Sequence, residues 1–308
     1  MALYIVVGFV LLWKGGDLLV DGADAFARSH GVPPTIAGVF ILGFGTSMPE
    51  LAVTVFAALD GHGDIAVSNV VGSNIANVAL VLGTAALLAV VHVNRFLVRI
   101  EMPVGILASV LAFVLVLDGD VDMMDGIILL GAFLLYGGFA LGTVRHRDID
   151  DGAPPPKRPW FDLGKAVLAL GAVLGGAELL GTGAIEVAKA FGISEVVIGS
   201  TLVAFATSLP EFATAIAAAR ARKADLVVGN VIGSNIFNLL LVLGAAGLVI
   251  DQKVEGDIVG VLMPLMLSLA IFPLVVSWAN KRELGRKSGM LLVGVYIAFL
   301  VYSAIVAT

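Results

Sequence analysis

Two glutamates stand out in a chain otherwise poor in charge. Each closes a Thr-Ser-X-Pro-Glu motif, once as Gly45-Thr-Ser-Met-Pro-Glu50 and again as Ala206-Thr-Ser-Leu-Pro-Glu211. Both lie in long apolar stretches, where an ionised carboxylate costs at least about 2.5–3.5 kcal/mol even on the lenient membrane-insertion scale. Downstream, Gly-Ser-Asn-Ile-X-Asn recurs as Gly72-Ser-Asn-Ile-Ala-Asn77 and Gly233-Ser-Asn-Ile-Phe-Asn238. Ser73 and Asn77 are spaced i, i+4, as are Ser234 and Asn238, so each pair shares one helix face. Proline in a helix interior removes a backbone donor and kinks or breaks the helix. Carbonyls released at membrane depth must be buried in protein or line a watery cavity. Those expected to be freed here belong to Gly43 and Ala204. With the hydroxyls of Thr46, Ser47, Thr207 and Ser208 in the same turns, each motif gathers carbonyl, hydroxyl and carboxylate oxygens at one level.

Oxygen is the ligand atom on offer. The chain has no cysteine, and His30, His62, His92 and His146 all fall near expected loops. Disulfides, haem-thiolate sites and iron–sulfur clusters are excluded, and the donor set favours hard cations such as Na⁺, Ca²⁺ or Mg²⁺. Ca²⁺ accepts about six to eight oxygens in flexible geometry, whereas Mg²⁺ demands a stricter octahedron and fits less well. A fixed salt bridge is the bland alternative for the glutamates. The one basic residue inside an expected span, Lys14, sits three residues from Asp17, its expected partner. Glu50 and Glu211 therefore need a mobile cation or a proton. Two carboxylates are balanced by one divalent ion or two monovalent ones, and an empty site would carry unpaired charge past the hydrophobic barrier. Obligatory loading with either ion type is antiport. The Ser/Asn pairs read as ligands or as interhelical hydrogen bonds. Asn74 and Asn235 point elsewhere on their helices and read as structural, while Gly72 and Gly233 allow a neighbouring helix to approach closely.

The elements that position these residues are membrane helices. Of 308 residues, 59% are hydrophobic and 14% charged, against about 25% charged in a soluble domain. Ten stretches of bilayer-crossing length, roughly 20 residues each, centre near residues 12, 46, 77, 108, 134, 174, 206, 237, 267 and 297. They leave no soluble domain of useful size, which argues against soluble catalysis and an enzyme. The start, Met1-Ala-Leu-Tyr, reads as the first helix rather than a removable leader.

An offset of 161 residues overlays Gly31–Gly83 on Gly192–Gly244 with 23 identities in 53 positions. It also pairs Asp64 with Asp225, Asn69 with Asn230, and Met102-Pro103 with Met263-Pro264. A duplicated structural bundle would retain apolar size, whereas the best match here is polar and mid-span. Each copy holds five spans, an odd number, so the second copy enters the membrane inverted, as in many secondary transporters. The expected architecture is all-α integral membrane, ten transmembrane helices as two inverted five-helix repeats, with broken helices at the ion site. Its divisions are 1–144, a linker at 145–163, and 164–308. Ala153-Pro-Pro-Pro-Lys157 suits a semi-rigid linker.

Fifteen of the 18 Lys and Arg fall on one side of these helices, against Lys189 and Lys253 on the other. The excess marks the cytoplasmic face, which places both termini outside and the linker inside. The opposite loops are rich in aspartate and glutamate, which either focus cations or are simply solvated. Trp13, Trp160 and Trp278 read as membrane anchors. Asp17 and Glu178 match at the repeat offset; they either line ion paths or pair with Lys14 and water near helix ends. The expected partners are small inorganic cations and the lipid bilayer, with no nucleic acid, no cofactor and no obligatory protein partner.

With these paired motifs the sequence resembles the cation/calcium antiporter superfamily, closest to its compact prokaryotic sodium/calcium exchangers, over essentially the whole chain. The resemblance implies a prokaryotic cell-membrane protein with ten helices and alternating access, sodium influx driving calcium export. Its central ligands would fall on Glu50, Glu211, Thr46, Ser47, Thr207, Ser208, Ser73, Asn77, Ser234 and Asn238, with carbonyls from Gly43 and Ala204. Helices near 3–28 and 164–190 would slide as a pair. Several relatives, including potassium-dependent ones, carry aspartate where this chain has Asn238, which argues against potassium co-transport. Calcium/proton members carry a different signature, so proton coupling is the lesser alternative. A cation channel or a non-transporting scaffold is the alternative from another class.

Overall fold

In the computed structural model, residues 2–144, 159–191, 204–249 and 251–306 are described. The Pro-rich stretch of the expected linker and the start of the second repeat's motif segment lie outside them. The helices are α1 (Ala2–Ser29), the bent pair α2 (Thr35–Thr46) and α3 (Met48–Leu59), α4 (Ile65–Leu88), α5 (Leu97–Asp118), α6 (Met123–Ala140) and α7 (Trp160–Ala190). After a four-residue turn α8 (Ala204–Thr207) come α9 (Leu209–Arg220), α10 (Ala224–Val249), α11 (Ile258–Ala279) and α12 (Arg286–Ile305). Eight of these are long and apolar enough to span a membrane by themselves, nine counting α2–α3 as one bent span. The chain is thus an all-helical, multi-pass membrane protein.

Burial divides the helices into centre and periphery. Within the apolar windows, α10 is 94% buried and α4 78%, whereas α1, α7 and α12 are 33%, 28% and 22% buried. The two Gly-Ser-Asn-Ile-X-Asn helices form the core, and the outer helices turn apolar faces such as Leu134, Leu135 and Leu168 to the lipid. Two positions without a side chain set the packing. A Cβ on Gly233 would lie 2.7 Å from both Cα and O of Val39, so α10 presses directly on the α2 backbone. A Cβ on Gly8 would come within 2.7 Å of Leu180 N and 2.8 Å of Gly176 O, which fuses α1 and α7 into one tight pair. The segment that would face Gly72 under the repeat offset lies outside the described residues.

Wide π-type turns occur at Gly38–Gly43, Asn77–Leu82 and Asn238–Val242, all at motif level, and again at Leu97–Glu101 and Ile258–Leu262. Such turns inside helices often mark functional sites. Two-residue strands tie the ends together: β1 (Val91–His92) pairs antiparallel with β4 (Glu283–Leu284), and β2 (Asp120–Val121) with β3 (Gln252–Lys253). Phe237, just before Asn238, packs against Phe40, Phe44 and Phe133 with ring centroids 5.4–5.7 Å apart.

Gly233→Leu is expected to lower the melting temperature by several degrees, since overpacking a tight contact costs about 1–3 kcal/mol. A thermal melt read by size-exclusion chromatography in detergent checks this; an unchanged melt would mean that α2 and α10 are not in such close contact.

Candidate functional site

The helix breaks fall at the serines. Ser47 has φ −80° and ψ 5°, and α2 and α3 meet there at 42°. Ser208 repeats the conformation, with φ −84° and ψ 0°, ahead of α9. Each is followed by proline at the second helical position and glutamate at the third, where the absent proline N–H would lack a helical partner anyway. Ser-X-X-Glu is also the spacing of a capping box. Yet neither serine side chain caps its own helix. Ser47 Oγ instead donates to Glu211 Oε1, 3.4 Å away in the other motif. The cap geometry remains while the hydroxyl serves the opposite glutamate.

Around this break the polar groups converge. Glu50, Glu211, Thr46, Ser234, Asn77 and Asn238 are all fully buried, and Ser47, Ser73 and Ser208 nearly so. Ser234 Oγ lies 3.4 Å from Glu211 Oε1 and 3.2 Å from Gly43 O, while Thr46 Oγ1 donates to Leu42 O at 2.9 Å and sits 3.5 Å from Ser234 Oγ. Glu50 and Glu211 are the two carboxylates of this buried cluster, and Ser47, three residues before Glu50, contacts Glu211. Thr207 ends the turn α8 that Ala204 begins. Among the described residues, seven buried side-chain atoms of this cluster lack a hydrogen-bond partner: both carboxylate oxygens of Glu50, Glu211 Oε2, the hydroxyls of Ser73 and Ser208, and Oδ1 of Asn77 and Asn238. All seven are oxygens. Among the described residues no group of three or more His, Asp or Glu side chains is placed to hold a metal ion, and this cluster is two carboxylates in a shell of neutral oxygens, a donor set suited to hard cations.

Several sequence expectations need correcting. Gly43 O is not left without a backbone donor: it accepts Ser47 N–H at 3.1 Å as well as Ser234 Oγ, because Pro49 withholds its hydrogen bond from a later carbonyl, four residues before it. Asp17 pairs not with Lys14 but with Arg220, at 3.3 Å, and the Arg220 guanidinium also lies 4.1 Å above the Trp13 ring. Trp13 thus contacts protein on one face while remaining 41% exposed, and Trp160 and Trp278 are 74% and 70% exposed. Glu178 accepts from Thr182 at 3.5 Å on an exposed surface. Asn74 and Asn235 make structural hydrogen bonds, as expected off the Ser/Asn face, but their partners include the site amides of Asn238 and Asn77.

Other buried groups were missed. Asn69 Nδ2 donates to Thr54 Oγ1 at 3.0 Å, and Asn230 Nδ2 to Thr214 Oγ1 at 3.1 Å, bracing α3 on α4 and α9 on α10 one turn beyond the glutamates. The asparagines match at the 161-residue offset, but Thr54 follows Glu50 by four positions and Thr214 follows Glu211 by three, so the fixed overlay hides them. Glu101, buried in α5, accepts Tyr136 Oη at 2.6 Å; its counterpart at the offset is Leu262, so the repeat gave no signal there.

The geometry defines a membrane protein with a buried, acid-centred oxygen cluster between broken helices. The sodium/calcium exchanger protein profile matches residues 1–142 and 163–305, and the chain belongs to that family. It is 35% identical to the putative antiporter CaxA of Alkalimonas amylolytica over 96% of each chain. It is 30% identical to the sodium/calcium exchanger MaX1 of Methanosarcina acetivorans over 97% of each. Among solved structures it is similar to the sodium-calcium exchanger NCX_Mj soaked in Na⁺ and Sr²⁺, with a TM-score of 0.84 and 34% identity, covering 97% of this chain and 96% of that one.

Two fully buried acids in one cluster, without a fixed cation among the described residues, destabilise the ion-free fold. Glu50→Gln is therefore expected to raise the melting temperature in ion-free detergent by a few degrees, since about 1 kcal/mol corresponds to a shift of roughly 2–4 °C in a chain of a few hundred residues. A lower melting temperature would mean that the carboxylate is already compensated within the fold.

Proposed function

We propose that the chain is a secondary antiporter exchanging sodium for calcium, with sodium influx driving calcium export by alternating access. The observation that carries this is the cluster of seven unpartnered buried oxygens around Glu50 and Glu211. Hydroxyl and amide oxygens bind hard cations without adding charge, so the two carboxylates alone set the charge to be balanced: one Ca²⁺, or at least two Na⁺. The ligand set is Glu50, Glu211, Thr46, Ser47, Thr207, Ser208, Ser73, Asn77, Ser234 and Asn238, with the carbonyls of Gly43 and Ala204. The family, and relatives that bear the name sodium/calcium exchanger, support these ions.

Ten helices in two inverted repeats, 1–144 and 164–308 about a linker, is the architecture that goes with this function. Its support is reciprocity. Strand β1 of the first half pairs with β4 of the second, and β2 of the first with β3 of the second. Asn74 Nδ2 donates to Asn235 O at 3.3 Å, and Asn235 Nδ2 to Asn74 O at 3.4 Å, between residues 161 positions apart. Contacts of this mirrored kind are what a two-fold axis in the membrane plane produces. The Lys and Arg distribution sets the linker in the cytoplasm and both termini outside.

Calcium uptake into proteoliposomes under an imposed outward sodium gradient tests the reading, run with and without a proton ionophore. Sodium-dependent uptake indifferent to the ionophore is expected. Uptake that collapses with the proton gradient would replace sodium coupling by proton coupling, and absent calcium flux would remove calcium as the ion. Glu50→Gln and Glu211→Gln are each expected to reduce exchange to the empty-liposome background while the protein elutes as wild type does; wild-type rates in both would put the site elsewhere.

A further inference from the structure

Asn74 and Asn235, which coordinate nothing in the ligand set above, decide which way its amides face. The reasoning starts from two backbone carbonyls. A carbonyl can only accept, so Asn74 must turn Nδ2 toward Asn235 O, 3.3 Å away, and Asn235 must turn Nδ2 toward Asn74 O, 3.4 Å away. Each side chain is thereby left with Oδ1 aimed across the interface. Asn74 Oδ1 receives Nδ2 of Asn238 at 3.1 Å, and Asn235 Oδ1 receives Nδ2 of Asn77 at 3.0 Å. With their NH₂ groups committed, Asn77 and Asn238 have one remaining orientation for Oδ1, and both of those oxygens are buried without a partner in the acid-centred cluster.

An asparagine amide is nearly symmetric in shape, so only its hydrogen-bond network chooses between presenting O and presenting NH₂. The difference is decisive at a cation site. Oδ1 is a ligand, whereas an NH₂ group turned inward would set partial positive charge against the ion. We propose that Asn74 and Asn235 are positioning residues for cation binding: each holds the site amide of the other repeat with its oxygen toward the ion. It follows that positions 77 and 238 require a side chain carrying a donor. A carboxylate at 238 would set its oxygen against Asn74 Oδ1, so Asn74 makes this chain selective for the amide there. The inference rests on the proposed site and adds the residues that orient it.

The test is a double-mutant cycle on the half-saturating calcium concentration for sodium-driven exchange in proteoliposomes. Asn74→Ala alone frees the Asn238 amide to rotate and is expected to raise that concentration tenfold or more, with a smaller change in the maximal rate. In an Asn238→Asp background the donor is already gone, so Asn74→Ala is expected to shift the value by less than twofold, or to improve it. Equal penalties in both backgrounds would make Asn74 a packing residue and overturn the proposal. The mirrored pair, Asn235→Ala with and without Asn77→Asp, tests the same relay without touching Asn74 or Asn238 and should show the same coupling. If both alanine variants fail to elute as folded protein, the asparagines hold α4 to α10 rather than orient ligands, and the proposal falls. A wild-type protein without calcium flux fails differently: that result rejects the exchange reading itself, whereas flux with uncoupled mutations rejects only the orienting role.

Discussion

Two fully buried carboxylates in one cluster, with no fixed cation to balance them among the described residues, are the constraint on which the rest of the fold depends. The effective penalty for burying one ion is several kcal/mol even after relaxation. The fold supplies partial compensation. Glu50 and Glu211 sit in the first turns of α3 and α9, where a helix N-terminus stabilises an anion by about 0.3–1 kcal/mol, or up to ~2 kcal/mol when partly buried. Hydroxyls of Ser47 and Ser234 add weak contacts at 3.4 Å to Glu211. These contributions fall short of two desolvated charges. The remainder has to come from something that arrives and leaves, and breaking the helices at Ser47 and Ser208 is what brings helix starts, hydroxyls and carboxylates to the same depth.

How strongly different parts of the molecule are joined differs for the same reason. The core helices α4 and α10 are locked by buried asparagine contacts and by bare backbone packing at Gly233. Buried polar networks of this sort rigidify because leaving any member unpaired is costly. The outer pair α1–α7 is joined to α9 and the turn after it differently. Arg220 meets Asp17 at 3.3 Å, and Lys223 meets Asp21 at 2.9 Å and Asp24 at 3.2 Å; the Arg220 and Asp21 side chains are exposed and that of Asp17 partly so, whereas Asp24 is buried. Exposed ion pairs contribute a median of about 0–1 kcal/mol each. Between these helices, Gly16 faces the Ala213 carbonyl, where an added Cβ would lie at 3.0 Å, so the contact there is small residue against backbone. A rigid ligand cage and a weakly fastened helix pair are the two mechanical parts that alternating access needs.

What the sequence disclosed follows from which signals survive without coordinates. The glutamates, the proline-marked helix breaks and the i, i+4 Ser/Asn pairs stand out in the sequence because each is local, and because duplication wrote each twice at one spacing. Of the ten spans read from hydropathy, eight, or nine with the bent pair α2–α3, are found among the described residues; around residue 206 only the part from Ala204 onward is described. What stayed hidden was mostly tertiary or out of register. Thr54 and Thr214 brace equivalent asparagines from positions that differ by one residue between repeats. Ser47 reads as a hydroxyl of its own motif, and it serves the opposite glutamate because the two breaks meet. Asp17 has a lysine three residues away in sequence, yet a helix end more than 200 residues distant supplies its partner. Asn74 and Asn235 looked peripheral because helical phase places them off the Ser/Asn face; the missing fact was that this second face meets its own symmetry mate.

That last contact bears on Asn238, the position where the family resemblance leads one to expect aspartate in several relatives. Read as a ligand in isolation, the position differs only in charge, and aspartate would bind a divalent ion more strongly. Within this packing its other atom is already assigned: Nδ2 sits 3.1 Å from Asn74 Oδ1, an acceptor held in place by a backbone carbonyl that cannot be turned. The amide thus satisfies a donor requirement on one side and a ligand requirement on the other, which no acceptor-only side chain can do. Holding the carboxylate count at two also leaves the loaded site neutral with a single Ca²⁺. Ligand charge and ligand orientation are therefore set by the same hydrogen bond, and neither can change at Asn238 without a compensating change at Asn74.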